Sequence, residues 1–155
     1  MDHSEIIGKL VISSNFGIGT VVSVEDMTNS GRDFLVIECP GNVKNFIPAD
    51  DTASYRFLST EGDIGKIISK LEKTRLKPKD YGSKKERIEY FKKTSKMQDI
   101  NVIADLLLEL ISLDDRSSAE DLIMNKFVDS IALEHSIITK AKEEDSKVII
   151  LAAIK

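Results

Sequence analysis

The chain has 155 residues, 41% of them hydrophobic, enough for one ordinary core or two small ones. No apolar run nears the roughly 20 residues of a membrane span, and Met1 to Glu5 lack the basic-then-apolar order of a secretory leader, so the expectation is a soluble cytoplasmic protein. A single cysteine, Cys39, excludes an intramolecular disulfide and makes no metal site by itself.

The formal charge of −4 hides an uneven distribution. Residues 1–62 carry four basic and nine acidic groups, residues 63–98 carry twelve and five, and residues 99–155 carry six and twelve. Positive charge is therefore gathered in one middle segment, the pattern of a local anion-binding surface on an otherwise acidic chain.

Taken in order, the first sixty residues read as β structure. Residues 9–13, 19–25, 33–38 and 43–47 are rich in branched and aromatic side chains. Turn signals separate them: two glycines between Asn15 and Gly19, then residues 29–31, then Pro40 with Gly41. Consecutive strands should pair antiparallel in a small, strongly bent sheet or SH3-like barrel. The short Gly17 to Gly19 stretch leads into a strand, so it reads as a turn and offers no phosphate the amides of a helix N-terminus.

From Asp63 the apolar period lengthens to three or four. Ile64, Ile67, Ile68 and Leu71 predict a helix over about 63–75, ending before Pro78. Ser83 and Glu86 have capping-box spacing and predict a helix over 84–97. Asp99 caps a third, whose stripe of Ile103, Leu107 and Leu110 marks the centre of a core. Ser117 and Glu120 open a long helix to about 141, with Ile123, Met124, Phe127, Ile131 and Ile138 inward, and a short helix over 146–154 follows. The fold class is thus α+β, with a β domain over 1–60 and a helical domain over 61–155.

Catalytic constellations are thin. His3 sits near the terminus and His135 reads as a surface or half-buried structural histidine, leaving no base, nucleophile or metal cluster to suggest an enzyme, a cofactor or a small-molecule substrate. The basic segment carries more. Lys84, Lys85 and Arg87 fall in the first turn of a predicted helix, whose amides also attract anions, and Lys92, Lys93 and Lys96 extend the charge. Tyr81 adds a stacking face beside the restricted backbone of Pro78.

This order of motifs resembles the CarD/CdnL family of bacterial transcription regulators across nearly the whole chain. The stretch from Ile7 to Gly19 looks like its glycine-led strand, turn and second strand. Asn45 to Asp50 is similar to its strand ending in valine, proline and alanine, and Pro78 to Tyr81 matches a proline, two residues and a tryptophan. Asp99 to Asp105 and Ser117 to Met124 resemble its two central helix openings. The chain has no tryptophan, so Tyr81 stands in the place of the family's aromatic wedge, and Met27 and Phe46 stand where members commonly carry arginines.

The resemblance implies a non-enzymatic module whose β domain has a Tudor-like fold. Its β domain would dock on the β-subunit lobe of RNA polymerase through Met27, Lys44, Asn45 and Phe46, partly by an edge strand. Its helical domain would hold promoter DNA through Tyr81, Lys84, Lys85, Arg87, Lys92 and Lys93. No cofactor, metal or membrane is implied, and the address is the cytoplasm, near the nucleoid. A rival reading is a protein-only adaptor whose helical domain does no DNA work, as in the similar polymerase-binding domain of transcription-repair coupling factors.

Overall fold

A computed structural model describes residues 4–13, 15–26, 29, 31–96 and 99–155. It divides between Leu58 and Ser59 into two compact units, close to the boundary at 60 read from the sequence. The expectations for Met27 and His3 lie outside the described residues.

Among the described residues the first unit is an antiparallel sheet of five strands, ordered β4-β3-β2-β1-β5. β1 (Leu10–Ser13) and β2 (Gly17–Glu25) form a hairpin in which Leu10 faces Thr20 and Ser13 faces Gly17. The glycines read as a turn therefore belong to β2, and Gly19 has a steric reason to be there. A Cβ on it would lie 2.5 Å from Ile37 Cγ2 and 3.0 Å from Cys39 Sγ. β3 (Phe34–Cys39) pairs with β2 across a bulge at Val22, which re-aims the side chains beyond it. A tight turn with Gly41 and Asn42 both at positive φ joins β3 to β4 (Val43–Pro48).

The sequence did not mark β5 (Arg56–Phe57), two residues paired with Val11 and Ile12 of β1. So short a strand has no periodicity of its own; only its partner defines it. Val11, Val21, Leu35, Ile37, Cys39 and Ile47 form the core on one face of the sheet, which follows from alternation along the strands, broken in β2 by the bulge.

Among the described residues the second unit holds five helices, α1 (Glu61–Lys73), α2 (Lys84–Ser95), α3 (Ile100–Ile111), α4 (Ser118–Thr139) and α5 (Glu143–Ala153). Thr60, Ser83, Asp99 and Ser117 each accept an amide hydrogen bond at the start of the first four, satisfying donors that the helix cannot. At Ser117 the full capping box forms with Glu120. α4 ends at Lys140, which adopts the left-handed conformation with φ 58°. α5 begins three residues earlier than the sequence suggested, at acidic Glu143, Glu144 and Asp145, which the positive end of the helix dipole favours.

Within this unit α3 is the centre. Its apolar residues are buried on nearly every side, in one cluster with Ile64, Ile67 and Leu71 of α1, Phe91 of α2, Phe127 and Ile131 of α4 and Ile150 of α5. His135, read from sequence as surface or half-buried, is buried, its Nδ1 2.8 Å from Ser146 Oγ of α5. The small hydroxyl gives the ring a partner and lets α4 and α5 close over it.

Leu107 is fully buried in α3. Leu107→Ala should therefore cost about 2–5 kcal/mol in urea unfolding; a loss under about 0.5 kcal/mol, the usual range for surface positions, would remove α3 from the centre.

Candidate functional site

Among the described residues β4 has one neighbour, β3, so its outer backbone groups face away from the sheet. Its residues alternate. Ile47 enters the core and Asn45 turns the same way, donating from Nδ2 to Cys39 Sγ at 3.3 Å. Lys44 and Phe46 share the other face, and both are exposed. Phe46 stands opposite Val36 and leaves 48% of its surface in water, a large apolar group at an open strand edge. Of the residues expected at the polymerase contact, the structure brings Lys44 and Phe46 together on one exposed face and places Asn45 behind them.

The basic segment separates into two kinds of side chain. On α2 and its C-cap, Lys85, Lys92 and Lys96 recur at intervals of seven and four residues, with Lys93 adjoining, so they form one stripe. All four are exposed, as is Lys84 at the first helical position.

Arg87 differs. It lies on the face with Phe91 and is only 8% exposed. Its Nε and one terminal nitrogen donate to the two carboxylate oxygens of Glu120 at 2.6 and 2.7 Å, and the other donates to Asp115 Oδ1 at 3.0 Å. Glu120 Oε1 also accepts from the Ser117 amide and hydroxyl, both at 3.1 Å. Arg87 is therefore removed from the DNA-facing set. Its charge is consumed in tying α2 to the start of α4, and the Arg87 hydrogen bonds hold the Glu120 carboxyl below its ordinary range.

Tyr81 is also held. Its hydroxyl donates to Glu109 Oε1 at 2.9 Å, and its ring lies 5.1 Å from that of Tyr90 and 5.5 Å from that of Phe91. Tyr90 OH and Lys79 Nζ donate to the same buried carboxylate, at 3.0 Å in each case. Burial, then the Glu109 hydrogen bond, raises the Tyr81 phenol well above its usual range, and the same causes push Tyr90 up to about 12. A wedge must present a free ring, whereas this ring packs into an aromatic cluster under α2. Partly buried and anchored at its hydroxyl, Tyr81 has a structural role here.

Sequence reasoning missed Glu109, Tyr90 and Arg75. Glu109 sits in an apolar run, where its three donors give no local sign. Arg75 donates to the Leu71, Ala153 and Lys155 carbonyls, closing the ends of α1 and α5. Among the described residues no group of three or more metal-ligating side chains converges. No helix there is long and apolar enough to cross a membrane.

The pairing of Arg87 with Glu120 has a measurable pH signature. A carboxyl depressed in the folded state stabilises fully above its unfolded pKa of about 4.3, and this contribution drains away as pH falls through the lower folded value. Arg87→Met should cost about 3–5 kcal/mol at pH 7, because it strands a buried carboxylate. The difference from wild type, read by urea unfolding, should narrow towards pH 3. A difference independent of pH would assign the cost to lost packing.

No protein-family model matches the chain, and no curated protein matches it in sequence.

Proposed function

We propose that the chain is a two-part, non-enzymatic transcription regulator. The β unit, read as Tudor-like, binds the β-subunit lobe of RNA polymerase, and the helical unit rests on promoter DNA. The resemblance to the CarD/CdnL family suggests the partners. The observation that carries the reading is β4, an open strand edge with Phe46 half exposed beside Lys44. Such an edge suits a partner strand added by backbone pairing, which tolerates altered side chains, with Phe46 as anchor. The cytoplasm, at the nucleoid, is the address such partners require.

DNA contact falls to Lys84, Lys85, Lys92, Lys93 and Lys96, which lie exposed on α2 or its C-cap and can neutralise phosphates. Neither Arg87 nor Tyr81 takes part. These lysines carry no base readout, so they position rather than specify. The effect on initiation is a difference in affinity: if the bound geometry fits opened promoter better than closed, the open complex is stabilised by that difference.

One observation favours the adaptor reading. Arg75, Lys79 and Arg87 of the basic segment spend their charge on internal acceptors, so the surface is less positive than the sequence suggests. Salt dependence separates the two readings.

Phe46→Asp should abolish capture of RNA polymerase by the full chain and leave its unfolding midpoint unchanged. Retained capture would remove β4 from the contact. In DNA binding measured against salt, Lys84→Glu with Lys85→Glu should flatten the logarithmic slope by about 0.9 for each phosphate no longer neutralised. Wild-type chain that captures polymerase but shows no salt-dependent DNA binding would establish the adaptor.

A further inference from the structure

The β unit contains a cavity of about 580 Å³ with Leu35, Tyr55 and Phe57 in its apolar lining and Arg32, Asp33 and Asp50 in its charged lining. None of Lys44, Asn45 and Phe46 lines it, so it is a feature separate from the β4 edge.

Two aromatic rings shape it. Tyr55 and Phe57 meet edge to face, with centroids 6.0 Å apart and planes at 89°. The Tyr55 hydroxyl donates to the Ala49 carbonyl at 2.8 Å, which fixes that ring in place. Rings in this unit already carry cations: Lys9 Nζ lies 5.7 Å from the Phe57 centroid, and the Arg32 guanidinium lies 5.7 Å from that of Phe34.

The charges favour a cation. Residues 1–58 hold four basic and eight acidic groups. Burial, together with Asp50 and Asp51, raises the Tyr55 phenol, as expected in a negative local field. Asp50 Oδ1 accepts from Arg32 Nε at 3.4 Å and from a terminal nitrogen at 3.2 Å. Both side chains of that pair are more than half exposed, so the bond is weak and exchangeable. Asp50 thus already accepts a guanidinium, and the resident one can be displaced.

We propose that this cavity receives an arginine side chain from a protein partner. Its methylenes lie against Tyr55 and Phe57, and its guanidinium takes the place of Arg32 on Asp50. Arginine suits the site better than lysine because a planar fork both stacks on rings and meets a carboxylate with two donors. Arg32 acts as an internal competitor that keeps Asp50 partnered until the incoming side chain arrives.

The test is an NMR titration of the full chain with N-acetyl-arginine amide, with N-acetyl-citrulline amide as the neutral isostere and N-acetyl-lysine amide as the other cation. The arginine probe should give saturable shifts at Leu35, Tyr55 and Phe57. Citrulline should bind at least about tenfold more weakly, the scale of one charge-assisted hydrogen bond. Asp50→Asn should weaken the arginine probe about as much, while Arg32→Ala should tighten it by relieving the competition. Both positions are exposed, and unchanged unfolding midpoints would confirm that the variants fold. Absence of localised shifts, equal binding of citrulline, or weaker binding to Arg32→Ala would overturn the proposal. Lysine amide matching the arginine probe would overturn its guanidinium specificity.

Discussion

The buried pairing of Arg87 with Glu120 is the constraint on which the helical unit's surface depends. α2 is poor in apolar residues and buries only Arg87 and Phe91. Phe91 supplies the contact area and the guanidinium supplies direction, since two nitrogens on two oxygens allow one orientation. A helix so attached cannot roll without stranding a carboxylate that also closes the capping box of α4. The lysines point to solvent because the opposite face is locked. A single ion pair thereby sets the start of one helix and the exposed face of another.

Glu109 does comparable work between α2 and α3. It places a carboxylate in α3, the most apolar helix, and offsets the cost of burial with Tyr81, Tyr90 and Lys79. The linker between α1 and α2 is held down through Lys79 and Tyr81, which arrive from its extended backbone. Specific acceptors, rather than apolar area, give this segment its place.

Much of the fold was legible because its signals are local. Serine or aspartate at the helix starts, the stripe through Leu107, and branched residues in the strands act within a few positions of one another. Arg87 was misread because a basic residue in a basic run looks like its neighbours, while its acceptors lie 28 and 33 positions away. Its place four residues before Phe91, on the buried face, was the available sign. The structural role of Tyr81 was hidden for the same reason, its partner Glu109 being 28 positions on. β5 escaped because two residues cannot show alternation. At β4 the reverse holds: alternation around Ile47 put Phe46 on the face away from the core cluster, and the order of strands made β4 an edge.

The two ends of the sheet are not equivalent. β5 offers only two residues at its edge, whereas β4 offers six, ending in Pro48, which has no amide hydrogen to give. One border of the sheet is thus nearly closed to growth and the other open, with exposed Val43 and Phe46 along it. An open apolar border is also a template for unwanted stacking of strands, and Lys44 in its middle is the kind of charge that resists such stacking. The same six residues that can welcome a partner are therefore where the protein is most exposed to aggregation when it is crowded and alone.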